Sequence, residues 1–187
     1  MPLDIAIGIF LAMGMSRFFN HELTGIMIAA GIVFALLPDA DYLMHLARGN
    51  SSRNAHRHRD MLHLPLFFIP IGVLMLYPFG REWQIFFGAA SLAHFIHDSI
   101  GIGWGVQWLW PFRDNHYSFL YIWRPPDRRE HLPRKLFYSW SHRDIALLAA
   151  RYGDPEWMKN IYLKFHPFAI VEYAALAAAV ATLLLVG

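Results

Sequence analysis

Runs of apolar positions, broken only briefly by polar ones, give this chain its pattern. They extend roughly from Leu3 to Met15, Leu23 to Leu37, Met61 to Phe79, Trp83 to Gly101 and Pro167 to Val186. Crossing a bilayer takes a helix of about 20 apolar residues, within a range of about 17–25. The third, fourth and fifth runs have that length; the first two reach it only if flanking residues extend their ends. Hydrophobicity surrounds each run instead of marking one face, as in helices with no polar side to show to water. A soluble helical protein with buried core helices would share that feature, but not in so many segments. The pattern therefore predicts an all-α fold, an integral membrane helical bundle of about four to five transmembrane helices. It reads as a single membrane domain over 1–187. The first run carries Asp4 where a secretory signal has Lys or Arg, and no small-residue cleavage site follows, so it is read as retained.

Between the fourth and fifth runs, the segment 102–166 is too rich in structural signals to be a linker. "SHRDIALLAARYGD" places Ser141 as a helix N-cap with Asp144 three residues on, before an apolar stretch that closes at Gly153. "DPEWMKNIYLKFHP" repeats the device, with Asp154 as cap, Pro155 at the first helical position and Pro167 past the end. Both mix aromatic with basic residues, as helices lying on a membrane surface do. The expectation is a cytoplasmic or interfacial helical insertion over 102–166, built from amphipathic helices.

The basic residues choose a side. If all the runs span, 38–60 and 102–166 face the same way. The first holds Arg48, Arg53, Arg57 and Arg59; the second holds Arg113, Arg124, Arg128, Arg129, Arg134 and Lys135, then further basic residues to Lys164. The other side receives only Arg17 and Arg81. Positive charge collects in cytoplasmic loops. Both loaded segments are thus expected to face the cytoplasm, with membrane lipids as the protein's partners. No nucleic-acid-binding motif accompanies these residues.

Composition then narrows the chemistry. The charged share is 16%, against about 25% in ordinary soluble domains. With no cysteine, disulfides and thiolate metal sites are excluded, and any metal must be held by His, Asp or Glu. In the expected topology such residues gather at one membrane face. "LLPDADYL" puts Asp39 and Asp41 at the end of the second run. "HRHRDMLH" puts His56, His58, Asp60 and His63 at the start of the third, and "AHFIHDSIG" puts His94, His97 and Asp98 at the end of the fourth. On a helix, His94, His97 and Asp98 share one face at i, i+3 and i+4. His58 and His63 do not, being five apart or about 140° around a helix; His58 reads as a loop residue and His63 as part of a first turn, with Pro65 supporting a helix start nearby. Carboxylate oxygens and imidazole nitrogens suit Zn²⁺, with Mn²⁺ and Fe²⁺ as alternatives.

Taken in order, "PDAD" at 38–41, "HRDMLH" at 58–63, "HFIHD" at 94–98 and "GVQWLWPF" at 105–112 resemble the YdjM-like, membrane-bound metal-dependent hydrolases. The similarity covers roughly residues 30 to 125. It implies a bundle of transmembrane helices with a metal site, and a distant similarity to zinc-dependent phospholipase C and P1-type nuclease folds. The residues it carries over as metal ligands are Asp39, Asp41, His58, His63, His94 and Asp98. This chain departs from the family pattern at Asp60, where the family has Gly, and at Leu62 and Leu64, which replace Thr and Ser hydroxyls.

The function expected on these grounds is hydrolysis of a phosphoester, lipid-linked or small, by metal-activated water at the cytoplasmic membrane face. His63, His94, Asp98 and one of Asp39 or Asp41 are expected to bind the ion. Asp60 or the second of those aspartates is the expected proton acceptor, and Arg59 the cation that offsets charge developing on the phosphoryl oxygens. Two rivals use the same residues differently. One is a di-iron membrane oxidoreductase with histidine boxes drawn from His58, His63, His94 and His97. The other is a non-catalytic membrane protein stabilised by a metal.

Overall fold

The computed structural model describes residues 1–42 and 62–186, and the described chain is mostly helical. It divides into two compact units. One comprises Met1–Pro38, Phe67–His94 and Ile170–Gly187; the other comprises Asp39–Leu66 and Phe95–Ala169.

In the first unit, α1 (Pro2–Phe18) opens with proline at its first position, where a missing N–H costs nothing. Helix α2 (Gly25–Leu36) starts at Thr24, whose hydroxyl accepts the Met27 N–H at 3.2 Å. Pro38 then tightens the chain into a 3₁₀ turn, Leu37–Asp39, before helical backbone resumes to Tyr42. Helices α1 and α2 pack with Gly8 directly against Gly31: a side-chain carbon built on Gly8 would lie 2.6 Å from Gly31 backbone atoms. Small residues permit such an approach between apolar helices. Around that contact Ala6, Ile9 and Met13 of α1 bury with Ala179. Phe34 lies edge-on to Trp83, Phe86 and Phe87, with ring centres 5.4–6.2 Å apart.

Among the described residues, two helices are long and apolar enough to cross a bilayer: Gly25–Tyr42, and Pro167–Leu185 within α6 (Pro167–Val186). The other apolar runs also fold as helices but fall short of that test. Helix α3 (Pro65–Met75) has 11 residues, about 16 Å at 1.5 Å per residue, before a 3₁₀ turn over Tyr77–Phe79. The third run is therefore interrupted where a spanning helix was expected. Helix α4 (Arg81–Asp98) has 18 residues, but Arg81, Glu82, Gln84, His94, His97 and Asp98 lower its hydropathy.

The second unit corrects the all-α expectation. Within 102–166, where only helices were expected, β1 (Asn115–Phe119) pairs antiparallel with β2 (Phe137–Ser141), with His116 opposite Trp140 and Ser118 opposite Tyr138. "NHYSF" and "FYSWS" are rich in aromatic residues, which favour strands. Their two-residue alternation turns His116, Ser118 and Tyr138 inward and leaves Phe119 and Phe137 outward. Gly105, at φ +80°, passes so close to the Tyr117 backbone that any side chain would collide with it. This brings Val106 into a bridge with Tyr117.

The helix signals after the hairpin hold in part. Ser141 caps a 3₁₀ turn, His142–Asp144, that leads into α5 (Ile145–Tyr152), and Gly153 donates its N–H to the Ala149 carbonyl. Past Asp154, whose carboxylate accepts the Glu156 N–H at 2.8 Å, the chain forms a five-residue π-helical turn, Lys159–Leu163.

Candidate metal centre

The centre is organised around His63, in the short connection before Pro65 opens α3. The imidazole is 1% exposed and faces carboxylates on both sides. Its Nδ1 lies 3.0 Å from Asp41 Oδ2, which also accepts the Leu62 N–H at 3.4 Å. Its Nε2 lies 3.1 Å from Asp98 Oδ2 and 3.6 Å from Asp39 Oδ1. Phe95 packs edge-on to the ring at 6.1 Å. Asp39 ends the 3₁₀ turn after α2, Asp41 follows two residues on, and Asp98 is the last residue of α4. Three helix termini thus supply the groups.

Among the described residues, three carboxylates surround the ring, and none of the three is more than 19% exposed. Carboxylates beside a buried imidazole favour its charged form. Burial pushes its pKa down, but hydrogen bonds to Asp39, Asp41 and Asp98 outweigh burial and raise it to about 10.

His94 stands one helical turn before Asp98 on α4. Asp39, His63, His94 and Asp98 each offer one ligand atom, and these atoms all lie within 4.8 Å of one another. Donors at about 2.0–2.2 Å from a common ion are separated by at most about 4.4 Å, so a slight contraction closes the group on one cation. Two nitrogens and two carboxylate oxygens form a donor set suited to Zn²⁺, Mn²⁺ or Fe²⁺. The residues present fit a divalent metal.

The family model described as YdjM inner membrane protein matches residues 4–185. The chain belongs to that family. It is also 33% identical over 100 residues to inner membrane protein YbcI of Escherichia coli (strain K12), over 49% of this chain and 57% of that protein. The match thus spans little more than half of the relative's length. No solved structure matches. Membership in an inner membrane protein family agrees with the two helices long and apolar enough to cross a bilayer.

In this member of the YdjM family, the structure brings Asp39, His63, His94 and Asp98 together and sets Asp41 at the far nitrogen of His63. A carboxylate behind a ligating imidazole fixes the ring's tautomer and angle. His58, Arg59 and Asp60 lie outside the described residues. His97 is turned elsewhere, stacked on Phe168 with ring centres 6.0 Å apart and planes 9° from parallel.

One residue had no role in the sequence reading of the site: Asp4, which is 1% exposed and places Oδ1 3.2 Å from His94 Nδ1. The signal that could have marked it is its isolation as an acid inside an apolar run, where a charge is expensive to keep.

Proposed function

We propose that this chain is a metal-dependent hydrolase of the inner membrane that cleaves a phosphoester, lipid-linked or small, at the cytoplasmic face. The observation that carries the reading is the set Asp39, His63, His94 and Asp98, with Asp41 braced behind His63. A divalent ion held there would supply Lewis acidity, polarising a phosphoryl oxygen and bringing the pKa of a water toward 7.

The protein's own groups do the rest. Asp41 keeps the His63 ring from turning, so its Nε2 stays aimed at Asp39 and Asp98. Asp39 is the most open of the three carboxylates, at 19% exposure against 13% for Asp98 and 5% for Asp41. In this proposal it meets substrate and accepts a proton, a role it shares with Asp60. Arg59 offsets charge on the phosphoryl oxygens, where a planar guanidinium binds well. The arginines of 38–60 support the cytoplasmic orientation.

A metal staple without catalysis is the second reading, favoured by the near-complete burial of His63 and His94. Hydrolysis needs one coordination position left to water, and Asp39, the most open of the carboxylates, is the ligand best able to yield it. The oxidoreductase reading needs His97 beside the other histidines, and His97 lies against Phe168.

The test is elemental analysis of detergent-purified protein, joined to hydrolysis of phosphomonoesters and phospholipids with and without chelator. About one zinc, manganese or iron per chain and chelator-sensitive turnover are expected. Metal-free protein that gains neither stability nor activity from added cations would sink the reading.

Binding must also depend on pH. A cation taking His63 Nε2 displaces a proton, because the metal-free group titrates near 10. Apparent affinity is therefore expected to rise about tenfold per pH unit across the neutral range. Isothermal titration at pH 6, 7 and 8 measures it, and a flat profile contradicts the involvement of His63.

A further inference from the structure

We propose that Asp4 is a positioning residue of the metal centre, holding His94 through its Nδ1 so that Nε2 is kept for the cation. The proposal rests on the metal-site reading above and extends it to the first helix of the chain.

Asp4 lies in the first turn of α1, where the neighbouring buried positions are Ala6, Gly8 and Ile9. A carboxylate with 1% exposure in such surroundings survives only beside polar or charged partners. Among the described residues, the Met1 nitrogen lies 2.6 Å from its Oδ2, and His94 places Nδ1 3.2 Å from its Oδ1. Glu172, also buried, has Oε2 3.5 Å from the Leu3 N–H and so secures the same turn.

The arrangement parallels one already described. His63 has Asp41 hydrogen-bonded at Nδ1, at 3.0 Å; His94 has an Asp4 oxygen 3.2 Å from Nδ1, at ion-pair distance. An imidazole that commits its Nδ1 proton to a carboxylate presents the Nε2 lone pair, and the carboxylate fixes the angle of the ring. Both histidines of the candidate group thus have an aspartate oxygen beside Nδ1, from a residue far from them in sequence.

The experiment titrates Co²⁺ into purified, metal-stripped, full-length protein and follows its visible absorption. It compares wild type with Asp4→Asn, Asp4→Ala and Ser16→Ala. Ser16 is a buried α1 residue whose hydroxyl donates to the His21 carbonyl at 2.7 Å, so its loss perturbs the same helix away from His94.

Asp4→Ala is expected to weaken Co²⁺ binding about 10–100-fold, the usual cost of losing a partner behind a ligand. Asp4→Asn, of equal size but uncharged, should fall between it and wild type with shifted absorption bands; Ser16→Ala should match wild type. Should Asp4→Ala fail to fold, Asp4→Asn carries the test.

Wild-type affinity and spectrum in the Asp4 variants would overturn the proposal, as would an equal loss in Ser16→Ala. A wild type that binds no Co²⁺ sinks the metal-site reading and this proposal together. A wild type that binds beside an unaffected Asp4→Ala sinks this proposal alone.

Discussion

Detergent-purified His63→Ala protein is expected to lose more than about 100-fold in divalent-cation affinity, beyond the 10–100-fold typical of removing a partner behind a ligand. The reason is the central place of the ring. His63 Nε2 lies within 3.6 Å of both Asp98 and Asp39, and its Nδ1 is the contact that gives Asp41 a role. Alanine removes a candidate ligand and at the same time takes away the imidazole that lies against all three carboxylates. Breaking a buried pair by deleting one partner costs about 3–5 kcal/mol, so the metal-free variant should also unfold at lower temperature than metal-free wild type. Metal content by mass spectrometry and thermal unfolding in detergent check the two halves separately. Undiminished metal content would remove His63 from the centre. Asp41→Asn should fall short of His63→Ala, because it leaves all four candidate ligands in place.

The second large effect lies in the helix packing. Gly8→Ala is expected to destabilise the protein by about 1–3 kcal/mol, the usual cost of overfilling a packed contact. A Cβ on Gly8 would stand 2.6 Å from the carbonyl carbon and oxygen of Gly31 and from the Ile32 nitrogen. All three atoms are backbone, so no side chain can swing aside to make room. Helix α1 must then draw back from α2 and loosen the contacts of Ala6, Ile9 and Met13. Gly14, on the same helix, is the control. A Cβ there meets nothing within 4 Å, and alanine exceeds glycine by about 1 kcal/mol in helix propensity. Gly14→Ala should therefore hold or raise the unfolding temperature while Gly8→Ala lowers it. Equal shifts in the two variants would contradict the close contact.

Both effects bear on how far the chain can be read before it is folded. The pairing of His94 with Asp98 was legible, since four residues on a helix is one turn. So was the general character of the centre, because acids and histidines recur at the ends of apolar runs. The choice between Asp39 and Asp41 was not legible. Two aspartates one residue apart look alike in sequence, and only the path of the chain after Pro38 sends one toward Nε2 of His63 and the other toward Nδ1. Asp4 and His94 are 90 positions apart, with no local pattern to join them. The hairpin was missed for a related reason. Aromatic and polar residues alternating over five positions suit a strand only when a partner such as Phe137–Ser141 is at hand, and without one they read as an interfacial segment.

What the sequence determined by itself is what local physics can encode: helices where apolar residues run long, a cap at Ser141, a candidate ligand pair one turn apart, and a donor set without sulfur. What only the tertiary structure decided is which aspartate braces which imidazole, where two glycines let helices touch, and which strand completes a sheet. Those contacts join residues distant along the chain. Their energy depends on distance and direction in space, and neither quantity is written in the order of the residues.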